Sequence, residues 1–159
     1  MLFRSLYLHK NPGRNGPEMR SRVGHRMPLA RTGIGKALMI DCTQDEWQRL
    51  YQVSLPVDGK SMVWPQHQEQ SWEQFQQRMQ DYVAGGYAFD LEDNEPSIRC
   101  VAAPVRDASN RIVAGISIAS TVPYMPLEKM AELIPLIKQT AARQIGRASC
   151  RERVYGECR

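Results

Sequence analysis

Two short segments constrain this chain more than any other feature: Met27-Pro-Leu-Ala-Arg-Thr-Gly-Ile-Gly-Lys-Ala-Leu38 and, about sixty residues later, Ile98-Arg-Cys-Val-Ala-Ala-Pro-Val-Arg106. In the first, Thr32 is placed to cap a helix running through Gly33 to Ile40, and its two glycines let another backbone approach closely. The second is a short apolar run that reads as a strand. Both signals belong to one folding unit, since 159 residues with 42% apolar content suffice for a single domain with a real core.

The rest of the chain fills in around them. Leu2 to Leu8 is β-tolerant, Asn11 to Pro17 is dense in turn formers, and Met19 to Val23 alternates, so the start predicts a hairpin-like strand pair ended by Gly24. Thr43-Gln-Asp-Glu46 is a capping box that opens a short helix to about Val53. Residues 54 to 70 read as a loop, with Ser61 to Trp64 extended. Ser71 caps a helix with apolar positions at Phe75, Met79, Tyr82 and Val83, stopped by Gly85-Gly86. Tyr87 to Leu91, Ile98 to Pro104 and Ile112 to Ser120 read as strands, the last two joined by a turn over Arg106 to Arg111. Leu127 to Arg143 is an apolar-faced helix that Pro135 is expected to kink or split. Strands in hairpin succession with helices between them suggest an α+β fold with helices packed on an antiparallel sheet. Pattern alone leaves several such folds open.

Charge and cysteines exclude several function classes. Two of the four net positive charges lie in Gly146 to Arg159, which holds four arginines and two glutamates, so the body is nearly neutral. Such a body has no electrostatic case for binding nucleic acid by itself. Cys150 and Cys158 also lie in that tail, and the two isolated cysteines that remain, Cys42 and Cys100, make neither a disulfide framework nor a zinc site. No apolar run approaches the ~18 residues of a membrane span. The expected setting is the cytoplasm, with no membrane partner, no metal and no cofactor.

The two opening segments, together with what lies between them, resemble the effector-binding domain of IclR-type bacterial transcription regulators. The matching residues stand in family order: Gly24, Arg26, Pro28 and Leu29, then Gly33 to Leu38, Gly86-Tyr87, and Arg99 to Val105. The resemblance runs from roughly Leu6 to Gln144, and its Asp90 to Val105 stretch is similar to the sugar-acid-responsive branch. It implies a GAF-like antiparallel sheet flanked by helices, a ligand sensor rather than an enzyme, and a homodimer or homotetramer. It also implies that DNA is met only through a winged helix-turn-helix domain ahead of the sensor, absent here with the sensor's first helix and strand. The expected domain is therefore residues 1 to 144. From about Ile145 the sequence has no apolar periodicity and resembles a translated sequencing adapter, so 145 to 159 is set aside as a tail.

The family builds its effector site where the Gly-x-Gly turn faces the acidic segment and the following strands. Carried over residue by residue, the resemblance places Gly33 and Ile34 at the turn, where N–H groups at a helix start suit a carboxylate. Asp90 falls where the family offers a carboxylate to ligand hydroxyls. Cys100 and Ser117 face inward from the later strands, and Met19, Met27 and Ile98 fall at apolar wall positions. Ala119 departs from members with a second hydroxyl there. The implied effector is a small carboxylate, a sugar acid or short hydroxy acid.

Each position also has a plainer reading. The methionines and Ile98 suit an ordinary core, Cys100 suits an inert buried thiol, and the run Asp90, Glu92, Asp93, Glu95 suits a solvated face. That run lacks the glycine and terminal glutamate of a calcium loop, and Gly33-x-Gly35-Lys36 lacks the spacing of a P-loop or dinucleotide turn. Two other function classes remain: a stand-alone GAF-like signalling module, and a hydrolase or acyltransferase using Cys100, which would need a histidine or helix terminus to lower its pKa.

Overall fold

Three strands in simple antiparallel succession organise the molecule: β3 (Ala88–Leu91), β4 (Ile98–Arg106) and β5 (Ile112–Thr121), in the order β3-β4-β5. The computed structural model describes residues 4–13, 19, 21–55 and 70–156, the stretch from 145 onward by its backbone alone. Two further strands, β1 (Arg4–Leu6) and β2 (Arg26–Pro28), form a separate antiparallel pair. The expected single sheet is thus two ladders among the described residues.

Register decides which side chains share a face. Cys100 stands opposite Asp90 on one side and Ala119 on the other, and Ala102 stands between Ala88 and Ser117. Because side chains alternate along a strand, these residues share one face with Ile98. Val101, Ala103 and Val105 point the other way, with Ile118, Ile116 and Ala114 beside them.

Helices cover both faces. On the first lie α1 (Gly33–Leu38), α2 (Gln44–Gln52) and α3 (Trp72–Gly85), whose Ala37, Trp47, Leu50, Phe75, Met79 and Tyr82 join Ala88, Cys100 and Ala102 in a buried cluster. On the second lies α4 (Leu127–Gly156), which sets Met130, Ile137 and Ala141 against Val101, Ala103 and Val105. Residues 130, 133, 134, 137 and 141 recur at helical spacing, so one stripe of α4 meets the sheet.

Local chemistry explains the helix starts. Thr32 accepts from the Gly35 N–H at 2.9 Å, and Thr43 and Ser71 each form a full capping box. Gly86 ends α3 at φ +67°, a left-handed cap that costs glycine little. At Gly35 the need is space: a methyl group there would land on the Leu29 carbonyl, so α1 packs directly on the 3₁₀ turn Leu29–Arg31. Trp47 donates its indole N–H to the Met39 carbonyl at 2.7 Å, tying α2 to the end of α1.

Four expectations need correcting. The partner of β1 is β2, not Met19 to Val23; the turn at Gly24 precedes the second strand instead of ending it, and Lys10 holds the Met19 and Ser21 carbonyls across the longer loop at 3.1 and 2.8 Å. Val83 is 42% exposed, because the buried stripe of α3 follows Phe75, Met79 and Tyr82, and Val83 lies one position round from it. Pro135 sits within one continuous helix; it and Ala131, whose carbonyl it leaves free, are both on the solvent side, where water can serve as partner. The helix, expected over Leu127 to Arg143, also continues through Gly156. The proposed extended piece at Ser61 to Trp64 lies outside the described residues.

Candidate functional site

The site forms where the start of α1 meets the small-residue face of the sheet. A Cβ on Gly33 would lie 2.6 Å from the Cys100 sulfur, 3.4 Å from the Ala102 Cβ and 3.5 Å from the Asp90 nitrogen. Only a glycine permits this approach, which brings α1 against β3 and β4 together. The Ser117 side chain and the Gly33 backbone also lie close enough to the Cys100 sulfur to favour its charged form. Gly33, Asp90, Cys100 and Ser117 therefore lie together at the start of α1. Ile34 packs beside them, its methyl 3.1 Å from where a Gly115 Cβ would stand, and Ile98 is half-buried on the same face.

The other two positions do not join them. Met27 is half-buried on β2 opposite Ser5, and Met19 is half-buried in the preceding loop; neither belongs to the buried cluster on this face. The anion seat is also narrower than a free helix terminus. Of its N–H groups, that of Gly35 is occupied by Thr32 and that of Gly33 faces sulfur, and α1 has only 6 residues.

Electrostatics set the chemistry available. Burial pushes the Cys100 thiol up to about 12, helped by the nearby Asp90 charge and only partly offset by Ser117, Lys36 and the Gly33 N–H. A thiol in that state is not a nucleophile at neutral pH. Asp90, 5% exposed, is pushed up to about 7 by burial and by the charge of Asp93, against Lys36 and the N–H groups of Asp93 and Asn94. Its Oδ1 accepts the Asp93 N–H at 2.8 Å.

Three features of the site were hidden in the sequence. Lys36 is 1% exposed and places its ammonium between the Phe89 carbonyl, at 3.1 Å, and the Asp93 carboxylate. Asp93 is also gripped by Arg78 from α3, at 2.8 and 3.1 Å, so the acidic run is an anchored loop rather than a solvated face. Burial outweighed by Lys36 and Arg78 holds the Asp93 carboxyl well below the usual range. Tyr7, two residues after the buried Ser5 and on the same side of the strand line, has its phenol pushed up by burial and then by Cys100, Asp90 and Glu95. The signals were a lysine among buried helix positions, which demands a carboxylate, and the alternation of Ser5, Leu6 and Tyr7.

A sheet with one apolar face and one face of small and polar side chains, covered by helices on both sides, defines an α+β domain. Residues 4–147 match the family described as bacterial transcriptional regulator IclR C-terminal, and the chain belongs to that effector-binding domain family. The HTH-type transcriptional regulator KdgR of Escherichia coli K12 is 31% identical over 140 residues, 88% of this chain and 51% of that protein. XynR, an HTH-type transcriptional regulator from the same organism, is 28% identical over 116 residues, 72% of this chain and 44% of that protein. The chain spans about half the length of the curated relatives it matches. Among solved structures, Thermotoga maritima IclR superposes with a TM-score of 0.72 at 25% identity, covering 92% of this chain and 57% of that one. The C-terminal domain of E. coli KdgR gives 0.60 at 28% identity, covering 77% and 71%. No helix among the described residues is long and apolar enough to cross a membrane.

Proposed function

We propose that this domain senses a small carboxylate effector, a sugar acid or short hydroxy acid, for a cytoplasmic transcription regulator. The observation that carries the reading is the convergence of Gly33, Asp90, Cys100 and Ser117 on the small-residue face of the sheet. Asp90 and the Ser117 hydroxyl suit ligand hydroxyls and Ile34 and Ile98 flank them, while Met19 and Met27, which lie apart from this group, would join the wall only through the bound ligand. Since Gly33 already touches the Cys100 sulfur, a ligand enters beside α1 and not between the two. Differential affinity for two arrangements of a homo-oligomer would then move DNA-binding domains on or off an operator. DNA is met only through those domains.

A non-catalytic reading is supported by the raised Cys100 thiol and by the exposure of His9 and His25, the two described histidines. Iodoacetamide should leave Cys100 unmodified at neutral pH, and rapid alkylation would favour the cysteine enzyme instead.

The decisive experiment is a thermal melt of the full chain against sugar acids and short hydroxy acids. A ligand at about 100 times its Kd should add roughly 2.7 kcal/mol, a shift of several degrees. Ser117→Ala should weaken the response. A cooperative melt that no acid moves would overturn the carboxylate reading.

A further inference from the structure

Asp90 is built into a buried charge cluster that the effector-site reading leaves unused. Lys36, enclosed under α1, spends its ammonium on the Phe89 carbonyl and on Asp93. Arg78 reaches from α3 to both carboxylate oxygens of Asp93 and also contacts the Tyr82 hydroxyl at 3.1 Å and the Gln70 side chain at 2.9 Å. Arg31 holds the Asp93 carbonyl at 3.3 Å, while the Asp93 N–H fixes Asp90 at 2.8 Å. The loop so held begins and ends in left-handed backbone at two non-glycine residues, Glu92 (φ 70°) and Ser97 (φ 61°). Such a residue persists only where its surroundings over-determine it.

The charges sum to a simple choice. With Lys36, Arg31, Arg78 and Asp93 all ionised, the cluster carries two net positive charges when Asp90 is protonated and one when it is not. The other groups facing Asp90 are Cys100 from β4 and Tyr7 from the segment after β1, both held neutral, and the charge of Glu95 also acts on Tyr7. An anion seated beside Asp90 meets a like charge when that carboxyl is ionised and none when it is protonated.

We propose that Lys36, Arg78 and Asp93 are positioning residues that set the aim and charge of Asp90, so that an anionic effector binds together with one proton taken from solvent onto the Asp90 carboxyl. This deepens the sensor reading and rests on it for the ligand, but the control of Asp90 stands without one.

Two measurements on the full chain separate the parts. In the first, carbon-13 NMR follows the Asp90 carboxyl through a pH titration, assigned by its loss in Asp90→Asn. Asp93→Asn frees Lys36 to turn to Asp90, which should then titrate lower by about one pH unit or more. Arg78→Gln removes a cation and leaves Asp93 less compensated, so Asp90 should titrate higher. Opposite signs are the signature, since loosened packing would move both variants the same way. If Asp93→Asn fails to fold, Arg78→Gln at its half-buried site decides by itself. An unmoved Asp90 overturns the positioning role.

In the second, calorimetry with D-gluconate in buffers of different ionisation enthalpy counts protons. Uptake approaching one proton is expected at about pH 8, where free Asp90 is ionised, and almost none at about pH 5. Gluconate binding without uptake at the higher pH overturns the proton coupling. A failure of gluconate and of the whole acid panel to bind would overturn the sensor reading, and the ligand half of this inference with it.

Discussion

The two faces of the β3-β4-β5 sheet are made by alternate residues of the same strands, yet they differ in kind. Toward α4 the sheet presents Val101, Ala103, Val105, Ile116 and Ile118, met by methionine, isoleucine and leucine. Toward α1 it presents Asp90, Cys100, Ala102, Ser117 and Ala119, side chains too small to fill the layer by themselves and polar enough to need partners. The apolar face gains its stability from area removed from water. The small-residue face gives up part of that gain for a cluster of groups whose charge depends on what surrounds them. A sheet so divided can hold its shape with one side while the other binds.

The comparison can be broken most forcefully from the apolar side. Met130 is fully buried against Val101 and its neighbours, so Met130→Ala should destabilise by about 3 kcal/mol, as measured by urea unfolding, and leave the titration of Asp90 in place. A loss below about 1 kcal/mol would mean that α4 is not the element that holds the sheet.

A smaller effect is expected from Gly33→Ala, which pushes a methyl group into the Cys100 sulfur and should cost roughly 2 kcal/mol. Adding Cys100→Ala should return part of that loss, because the sulfur is the atom struck. Strict additivity of the two changes would show that the contact is not the source of the strain.

A third probe is pH, whose effect per unit is the smallest of the three. The folded-state carboxyl of Asp90 is raised, so the native state holds its proton more tightly than the unfolded chain does. Its contribution is complete below the ordinary value of 3.8 and is lost as pH rises through about 7. Stability should fall by about 1 kcal/mol per pH unit across that window, and Asp90→Asn should flatten the slope. Asp93 has the opposite sign: its contribution is present above the ordinary carboxylate range and is lost only on strong acidification. A wild-type profile flat from pH ~4 to ~7 would remove Asp90 as a buried titrating group.

Much of this architecture could be read from the chain. The caps at Thr32, Thr43 and Ser71 are local chemistry written in adjacent residues, and all three appear as hydrogen bonds. The strands from Ala88 onward alternate or run apolar over enough length to declare themselves. The β1 partner did not, because Met19 to Val23 and Arg26 to Pro28 have similar local character, and the choice between them depends on contacts with α1 that no local window contains. The site divides the same way. The convergence of Gly33, Asp90, Cys100 and Ser117 followed from the family pattern, whereas the Lys36, Asp93 and Arg78 cluster joins residues 36, 93 and 78, brought together only by tertiary packing. A charge run read along the sequence shows where carboxylates are, not which of them a buried lysine has claimed.

The indole bond from Trp47 to Met39 gives the domain an optical gauge. Trp47 is 7% exposed and its ring nitrogen is fixed to the last turn of α1, the same helix whose first residue touches Cys100. A change at Gly33 that rotates or shifts so short a rod must alter the polarity felt by that chromophore at its other end. Emission colour and quenching of the intrinsic fluorescence would then report on the start of α1 without any label near it.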